Sequence, residues 1–175
     1  MRHSNLALVL IRLRIDDEPH LVLIRDRKWG DWTLVGGHVE PYEKSDWARA
    51  AARECDEELA PLKFGQDFVL LPLLKEPLRW GPIPSKSADG ELTTYRAQFF
   101  ALRFLRAPTE CLTQLPADDF RIVSESAYGV ERAAHDKVAR AAKALGGLSR
   151  VALAWDSALV SPPIRKADLQ AMPVG

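Results

Sequence analysis

A pair of glycines followed by an acidic helix constrains this chain more than any other feature. Gly36-Gly37 directly follows Trp32-Thr33-Leu34-Val35, a β-prone run that predicts a strand, and glycine allows backbone conformations that other residues resist. Further along, Glu54, Glu57 and Glu58 are spaced at i, i+3 and i+4 and therefore share one helix face. The segment predicts a strand, a glycine turn and a helix that carries a patch of negative charge.

Two interpretations of that charged face are open. The apolar positions of the helix fall roughly opposite the glutamates; they are Ala48, Ala51, Ala52, Cys55 and Leu59. In the first interpretation, Arg49 and Arg53 pair with glutamates one turn away, and the face is an ordinary solvated surface. In the second, the glutamates hold a cation together with the loop acids Glu40 and Glu43. Oxygen ligands without His or Cys among them suit magnesium or manganese.

The stretch from Gly37 to Leu59 resembles the signature of the Nudix hydrolases, written G-x5-E-x7-R-E-U-x-E-E-x-G-U with U bulky and apolar. The positions that match in type and order are Gly37, Glu43, Arg53, Glu54, Glu57 and Glu58. The resemblance implies an α/β fold, an αβα sandwich with a mixed β-sheet between helices. It also implies a metal-dependent pyrophosphohydrolase, in which water attacks a phosphorus of a nucleoside diphosphate linked to another group.

Three positions depart from the signature. The spacer from Glu43 to Arg53 has nine residues, two more than the pattern, which puts the pairing of these two side chains in question. Ala60 replaces the closing glycine and Pro61 follows it, and the residue before a proline is pushed out of the α region. Val35 stands where many members have proline. None of these changes removes a carboxylate from the helix.

The resemblance also assigns roles to the residues of the signature. Glu54, Glu57 and Glu58 would be the principal ligands of Mg²⁺, or of Mn²⁺, with the main-chain carbonyl of Gly36 as a further ligand. Arg53 would orient a neighbouring glutamate. The residues that would support the loop are Gly37, Glu40 and Glu43.

The general base is either Glu54 of the helix or Glu125 from a later loop, although an acid at position 125 is also typical of a solvated surface. A non-catalytic, nucleotide-binding sensor or regulatory domain is the alternative function. Such domains tend to lose the helix glutamates, and the full set here favours an enzyme. The substrate is expected to be a small molecule of nucleotide type.

Three tryptophans are candidates for substrate binding. Trp80 lies in a segment rich in Pro, Gly and Ser, where its ring could stack on a base or simply pack against the protein. Trp29 and Trp32 lie just before the glycine turn and could line the same pocket. The sequence does not decide between stacking and packing for any of them.

The composition limits the classes of partner. The 175 residues are 47% hydrophobic and 27% charged with a formal net charge of zero, so no bulk attraction to nucleic acid or to an anionic membrane is expected. Two cysteines make neither a disulfide framework nor a metal-ligand set. The chain shows neither a cleavable leader pattern nor an apolar run of membrane-spanning length, so a cytoplasmic location is expected. A homodimer is compatible with the sequence.

Periodicity and turn signals predict the order of elements. Strands are predicted over 6–13, 21–24, 33–35, 68–74, 95–104, 121–123 and 151–155, and helices over 47–59 and 130–145. Asp46 is the predicted N-cap of the first helix. A hairpin-like connection is predicted over 15–19, and a tight turn at Asp89-Gly90. Residues 1–160 are predicted to form a single hydrolase domain, and 161–175 a C-terminal tail.

Overall fold

The computed structural model describes residues 1–28, 30, 32–124, 161, 163–169 and 172. Its strands are β1 (Arg2–Ile15), β2 (Glu18–Arg25), β3 (Trp32–Thr33), β4 (Val35–His38), β5 (Phe68–Pro72), β6 (Leu78–Pro84), β7 (Leu92–Phe104) and β8 (Phe120–Ser124). Its α-helices are α1 (Trp47–Glu58) and α2 (Pro108–Leu112), and 3₁₀ turns occur at Pro41–Glu43, Lys86–Ala88 and Lys166–Leu169.

Strand β1 organises a mixed sheet because it pairs with three neighbours. Its first part, residues 2–10, runs parallel to β7, and Leu6 to Val9 also pair antiparallel with β4. Its last part, residues 11–15, pairs antiparallel with β2, which in turn pairs with β3 and β8. Strands β5 and β6 both pair with β7. The mixed α/β architecture expected from the sequence is confirmed.

The turn signals of the sequence are also confirmed. Asp16 and Asp17 both have positive φ and close the hairpin between β1 and β2, as a two-residue hairpin turn requires. Asp89 and Gly90 also have positive φ and turn the chain in the longer loop between β6 and β7.

The Pro-rich segment before that turn contains a strand, β6, which the sequence did not indicate. A register shift between Trp80 and Ile83 lets the segment pair with β7 on both sides of the irregularity. The prolines and Gly81 in this stretch hide the period-two pattern that would mark a strand.

Helix α1 begins as predicted, with the Asp46 side chain accepting a hydrogen bond from the Arg49 amide at 3.0 Å. Its buried face differs from the predicted one. Ala48 is exposed, whereas Ala50, Ala51 and Cys55 are fully buried against the sheet. The buried arc is therefore rotated toward the glutamates. Around the helix, Glu54 and Glu58 fall between Ala50 and Ala51 and are partly buried, so the expectation that these two carboxylates lie opposite the apolar face is wrong.

The C-terminal segment expected to be a tail packs on the domain where the structure describes it. Ile164 forms a parallel bridge with Ile15, and both Ile164 and Leu169 are buried in the core. The predicted helix 130–145 and strand 151–155 lie outside the described residues, and the domain boundary at 160 stays a prediction. Within the described parts of the chain, no helix has the length and apolar character needed to cross a membrane.

Candidate active site

The two glycines fit places where a side chain would collide. Gly36 has φ +136°, and a Cβ there would lie 2.2 Å from the carbonyl oxygen of Ala7 on the paired strand. A Cβ on Gly37 would lie 2.3 Å from Oε1 of Glu54. The first glycine lets β4 pair closely with β1, and the second leaves room for a helix carboxylate against the end of β4.

Arg53 is the centre of the polar contacts between the loop and α1. Its guanidinium donates to Glu43 Oε1 through Nε at 3.0 Å and to Glu54 Oε1 through Nη1 at 2.8 Å. It also donates to the main-chain oxygen of His38 at 3.0 Å and, more weakly, to Glu57 Oε1 at 3.4 Å. One guanidinium therefore fixes the end of β4, the loop acid and two helix glutamates relative to one another.

The longer spacer does not prevent the Glu43–Arg53 pair. Glu43 is 2% exposed, and its second carboxylate oxygen accepts the Glu40 amide at 2.7 Å. The two residues that follow, Lys44 and Ser45, have φ of 50° and 64°. Two consecutive left-handed residues turn the chain sharply between the 3₁₀ turn and α1, and the loop takes up its extra length there. The pairing that the spacer put in question is present.

The three helix glutamates lie in different environments. Glu58 Oε2 accepts a hydrogen bond from the Gly36 amide at 2.9 Å, and burial raises the pKa of Glu58 to about 8. Burial also raises the pKa of Glu54, against the opposing effect of Arg53. The side chain of Glu57 is 59% exposed. By contrast, the hydrogen bond from Arg53 lowers the pKa of Glu43.

These carboxylates fit a hard divalent cation. Burial raises the pKa values of Glu54 and Glu58, although Arg53 pairs with Glu54, and a cation between the two carboxylates would relieve that cost. In the part of the chain that the structure describes, no three acid, His or Cys side chains yet converge on one point. Glu54 is turned toward Arg53 and Glu58 toward Gly36, so binding a cation would require these carboxylates to exchange partners. The ligand role of the Gly36 carbonyl stays a prediction.

The other candidate residues are three tryptophans and Glu125, and the structure describes two of these four. Trp80 is 8% exposed and stacks on Tyr95 at a centroid distance of 5.4 Å, so it packs within the sheet face. Trp32 is partly buried, with the guanidinium of Arg121 5.0 Å above its ring. Trp29 and Glu125 lie outside the described residues. The hydrogen bond from Gly36 to Glu58 was not indicated by the sequence, because it depends on how β4 meets α1.

Comparison with known proteins gives the family. A family model described as "NUDIX domain" matches residues 4–126. The chain belongs to the NUDIX domain family. With this membership, and with the signature carboxylates in place, it is a Nudix-type hydrolase that acts on phosphoanhydride bonds. Nudix hydrolases generally use divalent metal ions.

The first of three similar solved structures supports the fold. An Ap4A hydrolase from C. elegans has 18% identity and a TM-score of 0.55, covering 90% of this chain and 100% of its own. A mutT/nudix family protein from Listeria innocua has 18% identity and a TM-score of 0.46, covering 74% of this chain and 83% of its own. NrtR from Shewanella oneidensis has 14% identity and a TM-score of 0.48, covering 73% and 54%. No curated protein matches the sequence.

Proposed function

We propose that this Nudix protein is a magnesium-dependent pyrophosphohydrolase, with Mn²⁺ as a substitute ion. Its substrate would be a nucleoside diphosphate linked to another group. The observation that carries the proposal is the arrangement of Glu54 and Glu57 on Arg53 and of Glu58 on the Gly36 amide, beside a glycine pair that leaves space for a carboxylate.

Each residue of this arrangement has a part in the proposal. Glu54, Glu57 and Glu58 would hold the ion, which when bound neutralises diphosphate charge and makes a water molecule more acidic. Arg53, held by the buried Glu43, fixes the orientation of Glu54. Glu58 would give up its proton when the ion binds, because its raised pKa keeps it largely protonated near neutral pH without one.

The proton of the attacking water would go to one of two carboxylates, Glu54 or Glu125. Burial raises the pKa of Glu54, which brings it closer to the range in which a general base works well. Replacing Glu125 by Gln separates the two assignments. A large fall in turnover with unchanged metal affinity assigns the base to Glu125, and unchanged turnover assigns it to Glu54.

The direct test is turnover of a substrate panel with magnesium and, in parallel, with a chelator. The panel contains (d)NTPs, ADP-ribose, NADH, nucleotide sugars and dinucleoside polyphosphates; the last class includes Ap4A, which the C. elegans enzyme is named for. We expect magnesium-dependent hydrolysis of at least one member. Reaction in ¹⁸O-labelled water then shows which phosphorus is attacked.

The panel also tests the alternative of a sensor. Tight binding of one panel member, measured calorimetrically, without hydrolysis of any member would refute the proposal and favour a non-catalytic nucleotide-binding domain. Turnover that persists unchanged in the chelator would refute the metal dependence while leaving the hydrolase assignment in place.

A further inference from the structure

A cavity of about 480 Å³ lies on the outer side of the signature loop. Its walls are the first residues of β1, the end of β4 and the loop that follows β4. The helix glutamates 54, 57 and 58 are not among its lining residues. The cavity is therefore a feature separate from the carboxylate cluster, although both border the same loop.

The lining of this cavity favours an anion. Arg2 and Lys44 bring two positive charges, and Glu40 brings the only carboxylate of the described lining. Ser4 Oγ lies 2.8 Å from His38 Nδ1, which places a hydroxyl and an imidazole on the same wall. Net positive charge next to hydroxyl and imidazole groups matches the chemistry of a phosphate group.

Arg2 adds an independent observation. Its Nη1 is buried and has no hydrogen-bond partner among the residues that the structure describes. A buried donor of this kind normally has an acceptor, because leaving it unpaired costs its full desolvation. A rotation of the guanidinium toward the cavity that it lines would bring this donor to a ligand with several acceptor oxygens.

Two residues of the longer spacer form part of the cavity. Lys44 and Ser45 both line it, and their left-handed backbone turns the loop back toward the start of β1. A loop with the usual spacing would have two fewer residues with which to build this wall. The shape of the cavity therefore depends on the longer spacer between Glu43 and Arg53 in this chain.

The wall of the cavity formed by residues 38–40 is hydrogen-bonded to both members of the Arg53–Glu43 pair. The carbonyl of His38 accepts from Arg53, and the amide of Glu40 donates to Glu43. His38 and Glu40 both line the cavity. An occupant would therefore contact the segment that positions Arg53 and Glu43.

We propose that this cavity is a binding site for a phosphate-type anion, separate from the helix carboxylates. Free phosphate and the phosphate end of a nucleotide share this chemistry. The volume lies in the range of roughly 300–1,000 Å³ typical of sites for small organic ligands, which favours the nucleotide. The site does not require that the protein be a hydrolase.

Binding of AMP and of inorganic phosphate to chelator-treated protein tests this site, because no metal ion can then bridge the ligand to the helix glutamates. Calorimetry gives the affinities, and amide shifts in ¹⁵N NMR spectra give the location. We expect Lys44→Ala and Arg2→Ala each to weaken binding by roughly tenfold, as for the loss of a charge-assisted hydrogen bond. Lys75→Ala is the matched control, an exposed lysine that does not line the cavity and should bind like the parent protein.

Binding of AMP and phosphate with equal affinity would identify phosphate alone as the recognised group, and tighter binding of AMP would identify a nucleotide. Both results support the site if the amides of Lys44 and Ser45 shift. Absence of binding at millimolar concentration, equal affinity in all variants, or shifts confined to residues 54–58 would overturn it. Because Lys44 is exposed, its variant is expected to fold even if Arg2→Ala does not.

Discussion

Replacing Arg53 by Ala should destabilise the protein by about 3 kcal/mol at neutral pH. Glu43 is 2% exposed and would be left as a buried, uncompensated carboxylate, and loss of one partner of a buried ion pair typically costs 3–5 kcal/mol. The lower end applies because the Arg53 side chain keeps 22% of its surface exposed. The lost hydrogen bond to the carbonyl of His38 acts in the same direction.

Urea unfolding followed by circular dichroism measures this loss, with an unchanged m-value required for the comparison. Arg49→Ala is the matched control, because Arg49 is an exposed arginine on the same helix and should change stability by about 0.5 kcal/mol or less. Glu43→Gln and the double variant complete a thermodynamic cycle, in which we expect a coupling energy of about 2 kcal/mol.

The pH dependence gives a second check on the same pair. Arg53 holds the pKa of Glu43 below its usual value of 4.5, so the stabilisation is present above that value and is lost as the pH falls through the lowered pKa.

A loss under 1 kcal/mol in Arg53→Ala, or additive effects of the two single variants, would refute the buried ion pair and the account of the longer spacer.

Two further predictions concern the carboxylates. In the metal-free protein, burial raises the pKa of Glu58 from 4.5 to about 8, so its contribution to stability is full below pH 4.5 and is lost as the pH rises through 8. Glu58→Gln should remove that loss. From pH 5 to pH 9, the free energy of chemical unfolding should fall by on the order of 4 kcal/mol more in the parent protein than in the variant. Parallel pH profiles of the two proteins would contradict the burial argument. Gly37→Ala should displace the Glu54 carboxylate and lower turnover by roughly ten- to a hundredfold, as for groups that orient metal ligands. Thermal unfolding should change little in that variant, and normal turnover would show that the close approach of Gly37 and Glu54 is unimportant.

The sequence predicted the helix and its acids well because their signals are local. The N-cap at Asp46, the start of α1 and the turns at Asp16-Asp17 and Asp89-Gly90 depend on neighbouring residues, and all are present in the structure. The predicted direction of the buried face was wrong because Ala50, outside the predicted apolar set, is fully buried against the sheet, whereas Ala48 is exposed. Burial of Glu54 and Glu58 follows from that rotation.

Other features depend on contacts between distant segments. The Glu43–Arg53 pair survives a longer spacer because Lys44 and Ser45 adopt left-handed conformations, which residues other than glycine seldom do. Strand β6 was missed because its pairing with β7 crosses an irregularity at Gly81 and the neighbouring prolines. The cavity beside the loop combines residues 2–5 with residues 38–45, and sequence periodicity carries no information about that meeting.

The most direct test of the proposed metal-dependent hydrolysis is turnover of the best panel substrate as a function of Mg²⁺ concentration. Glu57→Gln should lower turnover by several orders of magnitude while the variant stays folded, because a neutral amide is a poor magnesium ligand and the exposed Glu57 contributes little to packing. Asp56 is an exposed acid on the same helix, and Asp56→Asn should show the same dependence of turnover on Mg²⁺ concentration as the parent protein. Near-normal turnover and an unchanged magnesium dependence in Glu57→Gln would contradict the assignment of the helix glutamates to the metal.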